Sequence, residues 1–135
     1  MANNHQKDSP ADTGTTVLVV DDYPVVTDFL ESMLIHRGFK ILKAFGGEEA
    51  IQKAREVQPD VIVLDLAMPY VSGYEVAERL KKNEKTASIP IIVLTATEVS
   101  PEQHAQLDKH VAVIVQKKEF LVDNLVSEIG KIVKK

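Results

Sequence analysis

Two adjacent carboxylates, Asp21 and Asp22, follow directly on a run of four aliphatic residues in the stretch VLVVDDYP (17–24). Such a run is typical of a buried β-strand, so the chain places two negative charges at a strand end. Two unit charges about 4 Å apart repel each other by roughly 4 kcal/mol at an effective dielectric constant near 20. Either the two side chains diverge into water, or a positive charge lies between them.

Polar side chains also end three further apolar runs. Asp65 follows VIVL (61–64), Thr95 follows IIVL (91–94), and Lys117 comes just after AVIV (112–115). If these groups meet the aspartate pair, their carboxylate oxygens suit Mg²⁺, and Lys117 and Thr95 add an ammonium and a hydroxyl. Such a set favours a metal ion together with a phosphoryl group. Asp65 is the candidate nucleophile, because it leads into a loop, LAMPYVSG, that can leave its side chain accessible.

Short apolar runs alternate with longer amphipathic segments along the chain, which predicts the elements that must position these groups. We predict strands over 16–20, 40–45, 60–66, 89–96 and 112–115. The predicted helices run from Pro24 to just before Gly38, and over 46–57, 73–83, 100–111 and 119–135. Unbroken apolar strands are typical of a parallel sheet with helices on both faces. In such α/β folds ligands bind at the carboxyl ends of the strands, where all the polar groups above would converge.

The composition limits the number of domains and the class of protein that this chain can form. The chain has 135 residues, 44% of them hydrophobic and 27% charged, as expected for one globular domain. A net charge of −4 gives no electrostatic reason to bind nucleic acid or an anionic membrane, and the absence of cysteine excludes thiolate chemistry. We expect a polar, disordered tail over 1–15, one domain over 16–135 with no output domain after it, and a cytoplasmic location.

Four segments taken together resemble the receiver domain of two-component response regulators, over roughly residues 16–134: VVDDYP, VIVLDLAMPYVSG, IIVLTA and VIVQKKEF. The resemblance implies a flavodoxin-like α/β/α sandwich with a five-stranded parallel sheet of order 2-1-3-4-5. It also implies roles for particular residues: Asp65 as phosphoacceptor, Thr95 as switch hydroxyl, Lys117 as phosphate-pairing lysine, and Asp21, Asp22, Asp65 and the backbone carbonyl of Ala67 as the Mg²⁺ site.

The function implied by this resemblance is a signalling switch. A sensor histidine kinase or a histidine phosphotransfer protein would supply the phosphoryl group, and a downstream protein would read a changed surface around the fourth helix, fifth strand and fifth helix. The domain would catalyse only its own phosphorylation and dephosphorylation, and would therefore not be an enzyme in the turnover sense.

The chain departs from the pattern of the family at three positions. Lys118 replaces the usual proline, so either Lys117 or Lys118 could face the site; we assign Lys117 because of its spacing from Thr95. Ile114 stands where an aromatic residue is usual, so an aromatic switch is not expected. Ala67 has no polar side chain with which to position a hydrolytic water.

Other interpretations remain open at this point. Asp22 alone would more often be a helix N-cap than a metal ligand. A receiver-like interaction module that acts independently of phosphorylation would keep the fold and lose the chemistry. A phosphatase of the haloacid dehalogenase type needs a second aspartate where Ala67 stands, so it is disfavoured. A flavin carrier needs a phosphate-binding loop where DDYPVV places negative charge, so it is rejected.

Overall fold

A computed structural model describes residues 13–96, 98–117 and 122–133 of the chain, the side chain of Val122 excepted. The strands are β1 (Thr16–Val20), β2 (Lys40–Ala44), β3 (Val61–Leu64), β4 (Ile91–Thr95) and β5 (Val113–Gln116). The helices are α1 (Pro24–His36), α2 (Gly47–Val57), α3 (Gly73–Lys82), α4 (Pro101–Asp108) and α5 (Val122–Val133). In these ranges no helix combines the length and apolar character needed to cross a bilayer.

The strands form one parallel sheet in the order β2-β1-β3-β4-β5, which confirms the predicted class and strand order. Alternate residues of each strand face opposite sides, so the sheet has two apolar faces. One face packs on Leu30 and Leu34 of α1 and on Leu125 and Ile129 of α5. The other face packs on buried side chains of α2, α3 and α4. The molecule is therefore the expected three-layer sandwich.

The first described residues lie beside β2. The backbone N–H of Thr13 donates to the carbonyl of Gly38 (3.0 Å), and that of Lys40 donates to the carbonyl of Thr15 (3.0 Å). Thr15 is buried. Residues 1–12 of the predicted tail lie outside the described residues.

Helix α1 begins and ends where its sequence signals predict. Pro24 occupies the first helical turn, where a missing N–H leaves no hydrogen bond unmade. At the other end Gly38 has a φ of 95°, the left-handed conformation that glycine adopts without strain. Its N–H donates to Ile35, and the next N–H, from Phe39, donates to Leu34, which is the double hydrogen bond of a Schellman motif. The prediction that Gly38 closes this helix is confirmed.

Helix α4 begins where its pattern predicts, with a capped first turn, but it is shorter than that pattern suggested. Ser100 and Gln103 form a reciprocal capping box, with Pro101 in the first turn. The helix ends at Asp108 and not at residue 111; the backbone N–H groups of His110 and Val111 both donate to the carbonyl of Leu107 (2.7 and 2.9 Å), which closes the last turn. Strand β5 accordingly begins at Val113, one residue later than predicted.

We predict that α4 depends on its cap more than α3 does. Within α4, all of whose residues are described, only Leu107 is buried, whereas α3 buries four residues. Ser100→Ala should therefore cost about 1 kcal/mol of local stability and raise amide hydrogen exchange in α4 roughly fivefold. The matched variant is Ser72→Ala, which removes the N-cap of α3. A larger acceleration in α3 on Ser72→Ala than in α4 on Ser100→Ala would contradict the prediction.

Candidate functional site

The carboxyl edge of the sheet brings the sequence-predicted polar groups together. Asp21 follows β1, Asp65 follows β3, Thr95 ends β4, and Lys117 follows β5. The sheet pairing continues one residue beyond the strands, since the N–H of Asp21 donates to Ala44 (3.2 Å) and that of Asp65 to Val20 (3.0 Å). Both aspartates thus have a backbone fixed by the sheet, and their side chains are positioned with little freedom.

Three carboxylates meet at this edge. One ligand oxygen from each of Asp21, Asp22 and Asp65 lies within 4.8 Å of the others. Asp21 is only 2% exposed and Asp65 only 5%, so water screens their repulsion poorly. The aspartate pair therefore does not diverge into solvent, and the cluster needs positive charge to be stable.

Lys117 supplies positive charge to this cluster. Its Nζ donates to Oδ2 of Asp21 at 2.8 Å and lies 3.9 Å from Oδ1 of Asp65, beyond hydrogen-bond distance. Of the two candidate lysines, Lys117 therefore faces the carboxylates, while Lys118 lies outside the described residues. The pairing with Asp21 in preference to Asp65 is a finding that the spacing of the residues did not predict.

The second oxygen of Asp21 is held by the backbone. Oδ1 of Asp21 accepts from the N–H of Tyr23 at 3.0 Å, which orients the carboxylate. The sequence analysis did not predict this hydrogen bond, although an aspartate side chain commonly accepts one from the backbone N–H two residues ahead, in an Asx-turn.

One carboxylate oxygen of Asp22 is buried and receives no hydrogen bond from the described residues. Its Oδ1 is inaccessible to solvent and has no hydrogen-bond partner among the described residues. Tyr23, and not Asp22, is the N-cap residue of α1, and it makes no side-chain capping hydrogen bond. The N-cap interpretation of Asp22 is therefore wrong. A buried, unpaired carboxylate oxygen is unfavourable by itself, and a cation bound beside it would remove that cost.

The carboxylate of Asp65 is held by donors on two sides. The backbone N–H of Ala67 and the hydroxyl of fully buried Thr95 both hydrogen-bond to it. Burial nevertheless raises the pKa of Asp65, with a further increase from the charge of Asp21, against the opposing effects of Lys117 and these two hydrogen bonds. The backbone N–H of Ala67 thus faces Asp65; the role of its carbonyl as a metal ligand stays a prediction.

Gly73 sets how closely helix α3 approaches Asp65. A Cβ atom on Gly73 would lie 2.2 Å from the carbonyl oxygen of Asp65 and 2.6 Å from Cα of Leu66. The backbone N–H of Gly73 donates to the carbonyl of Leu66 (2.9 Å), which closes the loop after Asp65. Gly73 ends the loop LAMPYVSG in the sequence, but its close approach to the Asp65 backbone required the structure.

The donor set fits a hard divalent cation and a phosphoryl group. Oxygens of three carboxylates within one short span are the ligands that Mg²⁺ prefers, and the unpaired oxygen of Asp22 adds a specific reason for a cation here. The ammonium of Lys117 and the hydroxyl of Thr95 can both donate to anionic oxygens.

The position without an aromatic side chain, Ile114, packs against the core on the α2, α3 and α4 side of the sheet.

Comparison with known proteins agrees with this geometry. A family model described as the response regulator receiver domain matches residues 17–129. The protein PilH of Pseudomonas aeruginosa is 37% identical over 79 residues, which cover 58% of this chain and 65% of PilH. The DNA-binding dual master transcriptional regulator RpaA of Synechocystis is 39% identical over 80 residues, which cover 59% of this chain and 33% of RpaA. The chain thus spans less than two thirds of these relatives.

A solved structure shows the same fold over nearly its whole length. The chemotaxis protein CheY4 of Vibrio cholerae superimposes with a TM-score of 0.78 at 28% sequence identity, covering 87% of this chain and 98% of CheY4. The similarity therefore extends over most of this chain.

Gly73→Ala should destabilise the fold and displace the Asp65 backbone. The methyl group would meet backbone atoms that cannot rotate away, and overpacking of this kind costs about 2 kcal/mol or more. Denaturant unfolding measures the loss. The control is Gly130→Ala in α5, where nothing lies within 4 Å of the new Cβ and helix propensity should add about 0.5–1 kcal/mol of stability. Equal effects of the two variants would contradict this account.

Asp65→Asn should stabilise the protein at neutral pH in the presence of a chelator. The folded state raises the pKa of Asp65, so ionisation of this carboxyl group lowers the free energy of unfolding. The loss of stability begins at the ordinary aspartate pKa and grows until the pH has passed the raised pKa of the folded state. The advantage of the asparagine should therefore vanish in acid, where folded and unfolded states are both protonated. Unfolding free energies of the two proteins over a pH series measure it; a wild type more stable than the variant at neutral pH would contradict the prediction.

Proposed function

Because the chain belongs to the response regulator receiver domain family, we propose that it is a phosphorylation-controlled signalling switch whose phosphoacceptor is Asp65. Receiver domains are signalling switches and not enzymes of the turnover kind. The observation that carries the proposal is the meeting of three carboxylates with the ammonium of Lys117 and the hydroxyl of Thr95 at one sheet edge. A fold that needed only stability would gain nothing from this buried repulsion.

In the proposed reaction, an oxygen of Asp65 attacks the phosphorus of a phosphohistidine on a sensor kinase or a histidine phosphotransfer protein. The new P–O bond forms as the P–N bond breaks in line, and the electron pair of that bond leaves with the imidazole. The N–H of Ala67 and the hydroxyl of Thr95, which both contact the carboxylate, hold it in position for the attack.

Positive charge would balance the phosphoryl oxygens. Mg²⁺, held by Asp21, Asp22, Asp65 and the carbonyl of Ala67, would neutralise charge on the transferring group. Lys117 is near enough to Asp65 to pair with an oxygen of the phosphoryl group once it is attached. Its contribution is electrostatic and requires no proton transfer.

An apolar groove beside the site supports a protein as phosphodonor. A cavity of about 480 Å³ is lined by Lys117 and by apolar residues of α1 and β4, namely Val25, Val26, Phe29, Leu30 and Leu94. Val25 is 77% exposed, so this helix presents apolar surface next to the carboxylates. Because Lys117 belongs both to this groove and to the site, a donor protein seated on α1 would have its phosphohistidine beside Asp65.

The response would pass from Thr95 to the surface formed by α4, β5 and α5. Thr95 is paired in register with Gln116, the residue before Lys117, so the switch hydroxyl and the lysine are joined through the β4–β5 pair. Helix α4 is attached to the sheet through Leu107 as its one buried residue, and all of α4 is described. Movement of Thr95 toward phosphoryl oxygens would bias this weakly held surface, which a downstream protein in the cytoplasm would read.

Acetyl phosphate with Mg²⁺ tests the proposed chemistry without a protein donor. Intact mass spectrometry should show one added phosphoryl group on the wild type and none on Asp65→Asn. Asp60→Asn is the matched control, because Asp60 lies before the opposite end of β3, where it accepts from the N–H of Thr16 (2.8 Å), and this variant should be phosphorylated normally.

Two results would contradict the proposal. A phosphoryl group retained on Asp65→Asn would move the phosphoacceptor elsewhere. A wild type that neither gains a phosphoryl group nor binds beryllofluoride with Mg²⁺ would favour the interaction module that acts independently of phosphorylation.

A further inference from the structure

A second cavity lies at the amino end of β4, the opposite end of this strand from Thr95. Its volume is about 400 Å³, and it lies between the segment that joins α3 to β4 and the turn that joins α4 to β5. Three basic side chains line it, those of Lys81, Lys109 and His110, and none of the described residues in its lining is acidic. On a chain with a net charge of −4, this cavity is a local concentration of basic groups.

Lys81 is held at this cavity by two hydrogen bonds. Its Nζ donates to the carbonyl of Ala87 and to the carbonyl of Ile89, both at 2.9 Å. A neutral amine has two N–H groups, so these two contacts satisfy it and leave the lone pair of the nitrogen unused. An ammonium has a third N–H group, which finds no acceptor among the described residues. The surroundings of Nζ therefore suit the neutral form of this lysine.

Burial acts on Lys81 in the same direction. It lowers the pKa of this lysine, because the charged ammonium loses more hydration in a partly closed site than the neutral amine does. Within the described part of the chain no carboxylate pairs with Lys81, whereas its neighbour Lys82 pairs with Glu78 at 3.2 Å. Lys81 thus has a larger neutral fraction at neutral pH than an ordinary surface lysine, and only the neutral amine is a nucleophile.

We propose that Lys81 is an acyl-acceptor site, which takes an acyl group from an anionic donor of the acyl phosphate class. The basic side chains of Lys109 and His110 would attract the phosphate of the donor to the cavity, beside the amine. The amine of Lys81 attacks the carbonyl carbon, and the C–N bond forms as the C–O bond to the phosphate breaks. The phosphate leaves with the electron pair of that bond and takes the proton released by the nitrogen. This inference goes beyond the proposed function, since it requires neither Asp65 nor Mg²⁺.

Acylation would weaken the attachment of the segment between α3 and β4. The amide formed at Lys81 has one N–H group, so at most one of the carbonyls of Ala87 and Ile89 keeps its hydrogen bond. Ile89 is buried, so a carbonyl that loses its partner there is unfavourable. The acylated protein should therefore melt below the unmodified protein.

Labelling with acetyl phosphate in the presence of a chelator tests the site without phosphorylation of Asp65. Tandem mass spectrometry measures the acetylation rates of Lys81 and Lys82, each divided by its rate in the denatured chain, where these adjacent lysines have similar surroundings. Lys81 should react at least about threefold faster than Lys82, although the side chain of Lys82 is 73% exposed. Equal rates, or a faster reaction of Lys82, would overturn the inference and leave Lys81 as an anchor of the segment before β4.

A second acyl donor and a lysine variant separate attraction of the donor from reactivity of the amine. Lys109→Gln should slow acetylation of Lys81 by acetyl phosphate about twofold or more, and should leave its acetylation by uncharged acetic anhydride unchanged. Lys85→Gln is the matched control, because Lys85 lies in the segment between α3 and β4 but does not line the cavity, and it should change neither rate.

Two results would overturn the role given to the cavity: an unchanged rate with acetyl phosphate in Lys109→Gln, or equal slowing in both variants. A wild type that is acetylated at Lys81 as expected but is never phosphorylated with Mg²⁺ would support this inference while contradicting the proposed function.

Discussion

Mutual repulsion among the carboxylates of Asp21, Asp22 and Asp65 is the constraint that determines what else this site must contain. Parallel strands end at the same edge, so a chain that places an acid after β1 and another after β3 brings negative charges together within a poorly hydrated site. The charges cannot relax by moving apart, because the N–H groups of Asp21 and Asp65 are tied into the sheet. The cluster must recruit positive charge, from Lys117 or from a bound cation.

The sheet and its two apolar faces supply the rigidity that this arrangement requires. Strands β1, β3 and β4 are buried nearly throughout, and their apolar side chains belong to the core on one face of the sheet or the other. Gly73 extends this rigidity into the loop after Asp65, since its lack of a side chain lets helix α3 begin directly against the aspartate backbone. The carboxylate of Asp65 is thus attached to the best-buried part of the domain.

The other half of the site is mounted on softer elements. Strand β5 is only partly buried, and α4, which is described throughout, has Leu107 as its one buried residue. Lys117 and the segment that follows Thr95 therefore adjoin structure that can shift at modest cost. A site with rigid acids and an adjustable cationic group is suited to a switch, because added charge on Asp65 can be met by movement of Lys117 without distorting the core.

Much of the fold and of the site could be predicted from the order of residue types. Unbroken apolar strands dictated a parallel sheet, and the chemistry of Pro24, Gly38 and Ser100 placed helix ends through local hydrogen bonds. The convergence of the acidic residues with Thr95 and Lys117 followed from the rule that parallel strands share a carboxyl edge. These features depend on local conformation and strand order, which a linear pattern encodes.

Only the tertiary structure decided which partner each group takes. The choice of Lys117 between Asp21 and Asp65 depends on differences of about an ångström in side-chain position. The buried, unpaired oxygen of Asp22 likewise became visible only in the assembled structure, since it depends on what surrounds the side chain at the sheet edge. Residue types and spacing specify which groups can lie at the same sheet edge. Which of them pair there depends on burial, charge repulsion and hydrogen bonding, and these are set only when the strands are assembled.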